Sequence, residues 1–415
     1  MTTQPASYRS VFAVAEFRRL WIAHVLSVAG DQLARVALTV LVFDRTRSAG
    51  LSALTYALTY LPDLIGGAAL SGLADHFPRR MVMVVADAGR CVLVALMALP
   101  ALPLAVQVVL LALVQVLAVP FSAARQAVLP DVLAGDKLAV GVGVFAMTYQ
   151  AGLVIGFGGG AAVVAGPGTD GALLLDAATF AVSAAVIRFG LAAHAPPPGR
   201  SAGEGQWTKI RAGWRVVATD ARLRSLLALA CCSGFYVVPE GLAVPYAARL
   251  HGGHAAVGWL LAANPVGMVA GMLLFKRVPP EPRLQLLGPL AVATSLVLLP
   301  TGWAPGLVVT VVLWACSGVF SAHNMIIQSE YVASAPPELR GQAVGLAMAA
   351  LRVAQGLAIV AAGLVAQLLP TSVVIAVAAG AGVFAAAGAA VAWTRAASSA
   401  PAPRRRDEAD EDVPG

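Results

Sequence analysis

The sequence predicts an all-α polytopic membrane protein of twelve transmembrane helices in two sets of six. Three observations carry the prediction: a composition too apolar for water, a dozen apolar stretches of bilayer-spanning length, and one long polar segment that divides them at the middle. Of the 415 residues, 59% are apolar and only 12% charged, with a further 41 glycines, and the mean hydropathy is +0.80. A soluble domain is about 25% charged, so half of the usual charge is missing over the whole length. A helical span needs about 20 residues, so twelve use roughly 240, and the remainder serves as ends and connections.

The first stretch, 17–43, is long and has no A-x-A exit, so it is expected to stay as an uncleaved anchor. The second, 50–73, contains Pro62 followed by Asp63, and a proline inside a span frees a backbone carbonyl where water or a ligand can bind. The third, 81–102, begins after Arg79 and Arg80 and carries Asp87 and Arg90 three residues apart, a spacing that suits a structural bridge near the inner surface. The fourth, 104–124, ends against Arg125, the fifth, 138–165, carries a row of glycines, and the sixth, 171–190, closes the first bundle, 1–190.

Residues 191–223 form the long internal linker, expected on the cytoplasmic side. Within it Trp207, Ile210, Trp214 and Val217 recur at helical spacing opposite Lys209, Arg211 and Arg215, a pattern that fits an amphipathic helix on the inner leaflet or a plain tether. The second bundle, 224–395, contains stretches at 224–248, 255–276, 284–303, 306–329, 341–368 and 371–394. Several of the twelve exceed the length of an upright span, which implies tilt. The polar, proline-containing tail 396–415 is expected to be disordered. Cys91, Cys231, Cys232 and Cys316 all lie inside apolar runs and read as packing residues.

The formal charge of +7 and the pI near 9.6 are explained by where the charges lie. With the N-terminus inside, inner loops and helix ends collect 22 of the 28 Lys and Arg; the outer loops hold only Arg45, Arg47 and Arg249, and Arg35, Arg90 and Arg352 lie within spans. The positive-inside rule then places both termini in the cytoplasm, and no nucleic-acid partner is needed.

Charges inside a bilayer cost several kcal/mol and persist where they are paired or face a cavity. Asp31 sits in the first span with Arg35 one turn later, close enough to pair on one helix face; the pair either neutralises itself or belongs to a cavity. Asp63 and Glu240 each follow a proline, and a lone carboxyl in an apolar setting is suited to taking up and releasing a proton. Arg352 in the eleventh span is a natural counter-ion for one of these acids, with Gln355 three residues on. His323 and Asn324 lie in the tenth span, and Gln150, Asn324 and Gln355 are the few amides expected in the interior. His251 and His254 form an H-x2-H in an outer loop that reads as solvated rather than metal-binding.

The inner loop SGLADHFPRRMV resembles the loop signature of the major facilitator superfamily, G-x-L-(A/G/S)-D-(R/K)-(F/Y)-G-R-(R/K). Leu73, Ala74, Asp75, Phe77, Arg79 and Arg80 match; Ser71, His76 and Pro78 depart from it. The resemblance implies a conformational latch in which Asp75 meets a basic group, Arg125 being the expected partner. A second resemblance lies in the fifth span, where Gly143, Gly152, Gly156 and Gly160 fall in register with that family's antiporter signature G-x8-G-x3-G-P-x2-G-G, with Phe157 and Ala161 in place of the proline and the last glycine. Glycines at this spacing also permit close helix packing by themselves. Further segments, among them PFSAARQAVLPDVLAGDKL and LRGQAVGLAMA, resemble the branch that includes macrolide and siderophore exporters.

The resemblance implies the major facilitator fold, two pseudo-symmetric halves whose first, fourth, seventh and tenth helices line a central cavity. Asp31, Asp63, Glu240, His323 and Arg352 fall on cavity helices or their neighbours, whereas Asp87 and Arg90 lie on an outer support helix. The leading expectation is a secondary active exporter of the plasma membrane that exchanges protons for a small amphiphilic molecule. An importer of a sugar or other nutrient, or a non-transporting receptor of the same fold, are the alternatives. No H-E-x-x-H or Gly-Lys dipeptide occurs, which argues against a metalloprotease or an ATP-driven pump, and the one G-x-S-x-G run, Gly199 to Gly203, lies in the polar linker. The expected partners are the bilayer, the substrate and protons, with no cofactor and no metal, and the chain is expected to act as a monomer.

Overall fold

The computed structural model describes residues 7–60, 77–99, 102–192, 206–275, 277, 279–336 and 339–398, and among these every regular element is helical. The first half contains α1 (Tyr8–Phe12), α2 (Ala15–Thr46), α3 (Ala49–Ala57), α4 (Arg79–Met97), α5 (Leu104–Val132), α6 (Asp136–Ala165) and α7 (Gly168–Gly190). The linker supplies α8 (Gln206–Thr219). The second half contains α9 (Ala221–Cys231), α10 (Ser233–Tyr236), α11 (Val238–Arg249), α12 (Gly253–Phe275), α13 (Pro280–Leu296), α14 (Leu307–Ser321), α15 (His323–Ser334), α16 (Arg340–Val365) and α17 (Thr371–Ser398).

Ten helical stretches among the described residues are long and apolar enough to cross a membrane. Of the two other expected spans, the second is described only as far as residue 60, and the third is α4, a 19-residue helix that holds Arg79, Arg80, Asp87 and Arg90. The seventh span is broken into α9, α10 and α11, with turns at Cys232 and Val237. Proline explains the second break: Pro239 has no N–H to continue the preceding helix, and it is tolerated where it now stands, in the first turn of a new one. The break leaves Glu240 in the first turn of α11.

The linker is helical over α8. Gly213 lies against the backbone of Gln342, where a Cβ would come within 2.8 Å of its carbonyl oxygen, and Val217 is buried in the second half's core. Trp214, expected on the same apolar face, is 62% exposed, so the tertiary contact of α8 uses only part of the stripe. The side chains of Trp207, Lys209 and Ile210 lie outside the described residues.

Packing divides the molecule unevenly. One large apolar core runs through both halves at the end away from the linker, joining Val36, Val40, Tyr56 and Phe157 to Leu242, Tyr246, Leu260 and Ile359. At the linker end there are two separate cores, one within the first half around Phe17, Met83 and Phe121, the other within the second around Leu226, Leu287 and Trp393. The halves are thus fused at one end and parted at the other. Close approach is built from glycine where α12 crosses α14: a Cβ on Gly267, Gly271 or Gly318 would overlap backbone atoms of the facing helix.

Candidate functional site

Between the two separated cores lies a cavity of about 740 Å³, lined from His24 and Arg125 near the linker end to Tyr60, Phe157 and Glu240 at its closed end. Its walls come from the first, second, fourth and fifth spans and, in the other half, from the seventh, eighth, tenth and eleventh. Much of the wall is apolar, including Phe145, Leu153, Phe157, Met268, Met348 and Leu351.

At the closed end the halves meet through side chains. Tyr56 donates its hydroxyl hydrogen to Glu240 Oε2 at 2.9 Å, and Tyr60 donates to the same oxygen at 3.4 Å. The Arg35 guanidinium lies 5.4 Å from the Tyr56 ring centre and 5.5 Å from that of Tyr60, and Arg352 approaches Tyr60 from the second half at 5.4 Å. Cation–π contacts of this kind strengthen when water is excluded. Of the expected cavity residues, Arg35, Gln150, Glu240, Asn324, Arg352 and Gln355 are therefore gathered on one surface. Gln150 reaches the sulfur of Met268 across the halves at 3.0 Å, Gln355 donates to Ser233 at 3.3 Å, and Asn324 donates to Tyr236 and to the Ser321 carbonyl.

Two expected placements are corrected. Asp31 does not pair with Arg35 and does not line the cavity; its ion pair is with Arg90 on α4. Arg35 is occupied by tyrosine faces on the cavity side, while a neighbouring helix offers Asp31 a buried guanidinium. His323 is also off the cavity wall; it is buried, with Nδ1 2.8 Å from the Phe320 carbonyl oxygen. Arg125, expected as the partner of Asp75, lies 4.7 Å from the Phe145 ring centre and lines the cavity. The latch arginines find other partners, Arg79 bonding Asp131 at 2.5 Å and Arg80 the Leu191 carbonyl at 3.0 Å. Asp63 and Asp75 lie outside the described residues.

The bridge expected on the support helix proves larger than a pair. Arg90 and Asp87 are fully buried and 3.1 Å apart. Arg90 also contacts Asp31 and donates to Ser27 at 2.8 Å, and Ser183 donates to Asp87 at 2.5 Å. Asp176 on α7, within electrostatic range of all three charges, is buried with Oδ2 lacking a hydrogen-bond partner. Two carboxyl groups thus bind one guanidinium, and a third lies within electrostatic range of it.

The glycine row is split by its surroundings. A Cβ on Gly152 would come within 2.5 Å of Val28, and one on Gly156 within 2.5 Å of Gln32, so both admit the first span closely; Gly160 has only ordinary contacts at 3.6 Å, and Gly143 faces open space. At the fused end, His254 of the H-x2-H loop contacts Asp44 of the other half at 3.1 Å while both stay partly exposed.

The functional residues that sequence reasoning missed are Tyr56, Tyr60, Arg125 as a cavity residue, and Asp176. Asp176 satisfies the rule that singled out Asp31, a carboxyl within an apolar stretch. The tyrosines carried a weaker signal, a phenol hydroxyl that requires a partner when buried.

A helical membrane protein whose halves part around a charged cavity has the architecture of a solute transporter. Residues 20–358 match the family model of the Major Facilitator Superfamily, and the chain belongs to that family as a membrane transporter, not an enzyme. It is 28% identical over 354 residues to the multidrug efflux pump Tap of Mycobacterium tuberculosis and Mycobacterium bovis, an alignment that covers 80% of this chain and 83% of theirs. Among solved structures it resembles a POT family transporter in complex with a thioalcohol-conjugated peptide (TM-score 0.73, 10% identity, 92% of this chain and 96% of that one). It also resembles the nucleoside transporter NupG (TM-score 0.72, 12% identity, 92% and 99%). A bacterial homologue of the lysosomal transporter Spinster, inward-facing and unoccupied, shares the fold as well (TM-score 0.65, 14% identity, 92% and 96%).

Proposed function

We propose that this protein exports small amphiphilic molecules across the plasma membrane by alternating access, driven by proton entry. Glu240 carries the reading. A broken helix places this carboxyl where the halves meet, on the cavity wall, and two tyrosines of the opposite half donate to it. A proton taken up there removes the negative charge that strengthens both hydrogen bonds, so protonation and separation of the halves are linked. Asp31, Asp87 and Asp176 around Arg90 form a second place for protons, since full ionisation leaves two uncompensated charges inside the bilayer. With both termini in the cytoplasm, as the positive-inside rule has it, the cavity opens inward, ready to load from the cell. The outward direction is supported by the mycobacterial relative named as a multidrug efflux pump.

Uptake of a nutrient is the second reading. It is favoured by the six amide side chains on the cavity wall, because Gln126, Asn264 and Gln328 join the three that the sequence led one to expect. Inverted membrane vesicles loaded with this protein separate the two. Export predicts that an amphiphilic fluorescent dye accumulates inside when a proton gradient is imposed and that Glu240→Gln abolishes the accumulation; gradient-independent dye levels sink the proposal.

A further inference from the structure

Among the described residues of the cavity wall, positive side chains outnumber negative ones. Among the described lining residues there are three guanidiniums, Arg35, Arg125 and Arg352, and a single carboxylate, Glu240. That carboxylate is already engaged by the hydroxyls of Tyr56 and Tyr60. Arg35 and Arg352 sit at the closed end against tyrosine rings. Arg125 stands apart near the parted end, its guanidinium 4.7 Å from the Phe145 ring centre, with Nε and Nη1 buried and without hydrogen-bond partners.

Two buried guanidinium nitrogens without acceptors are expensive, and they are stabilised by an acceptor that arrives from outside the protein. The planar fork matches a carboxylate or phosphate, which can take two parallel hydrogen bonds. The ring of Phe145 behind the guanidinium and the apolar wall from Leu138 to Leu153 offer a surface for the rest of such a molecule. We propose that the substrate is an organic anion, an amphiphile whose acidic group is bound by Arg125 while its apolar body lies along the fifth span. The Arg125 guanidinium repels a lipophilic cation at this place, so the site selects by sign as well as by size. The inference rests on the reading of this cavity as the transport site, but not on the direction of transport or on protons.

The test is equilibrium binding to the purified full-length protein in lipid nanodiscs, with no gradient present. Fluorescein and rhodamine 123 share a xanthene skeleton and differ in charge, and fluorescence anisotropy reports both. The expected result is that fluorescein binds about tenfold or more tightly than rhodamine 123, as one charge-assisted pair allows. Arg125→Gln removes that preference, and Arg125→Lys, which keeps the charge but not the fork, retains part of it. Equal or tighter binding of rhodamine 123, no binding of fluorescein, or fluorescein binding unchanged in a folded Arg125→Gln protein each overturns the proposal. Fluorescein that binds but does not follow a proton gradient in vesicles would instead overturn proton-driven export and leave the anion site standing.

Discussion

Tyr56 of the first half donates a hydrogen bond to Glu240 of the second at 2.9 Å, and this contact lies where the single core shared by both halves meets the closed end of the cavity. It ties the state in which the halves are fused at that end to one carboxyl group. Tyr56→Phe keeps the buried ring and removes the hydrogen bond, a loss of about 1 kcal/mol or somewhat more because the acceptor is a carboxylate. The expected outcome is a shift of roughly fivefold or more toward the state open at the other end. Distances between spin labels placed on the two halves would report it, and an unchanged distance distribution would show that the bond does not bias the equilibrium.

The Arg90 cluster makes an asymmetric prediction. Arg90→Ala takes the ion-pair partner from Asp87 and Asp31, and removing one partner of a buried ion pair costs about 3–5 kcal/mol. The variant should lose most of its folded yield in membranes or melt far lower in detergent. Asp176→Asn, by contrast, lessens the excess negative charge and should leave thermal stability unchanged or higher. Neutralising Asp31 should leave the protein in the membrane and abolish coupled export; full export by Asp31→Asn would remove this cluster from the coupling.

Glycine positions separate by what faces them. Gly267→Ala drives a methyl into the backbone of Ala315 and Val319, which cannot rotate away, and overpacking of this kind costs about 1–3 kcal/mol. Gly143→Ala meets nothing within 4 Å and should be neutral or slightly stabilising, since alanine is the better helix former. Parallel melting curves in one detergent check both; equal melting temperatures would contradict the close crossing of α12 and α14.

Much of the site could be located from the sequence because the bilayer penalises charge wherever it stands. Arg35, Glu240 and Arg352 were conspicuous for that reason, and the structure gathers them on one wall. What the rule does not supply is direction. Asp31 and Arg35 are one turn apart on α2, yet Asp31 turns to Arg90 on α4 and Arg35 turns to the tyrosines. Arg125 was expected as a latch residue at the inner end of the fourth span, and only the parted halves show it on a cavity wall. Asp176 was overlooked although the same rule applied to it.

The sequence by itself determined the solvent of this protein, the number of apolar stretches and the division into two sets of six. Each of these follows from composition and from the period and length of apolar runs, which local physics reads one helix at a time. Only the tertiary structure decided which charges share a partner, which end of the bundle is fused, and which side chains meet between the halves. Those depend on the rotation of each helix about its own axis and on its neighbours. Residues far apart in the chain, such as Tyr56 and Glu240, come into contact only when two bundles pack, and no local pattern in either segment encodes the other.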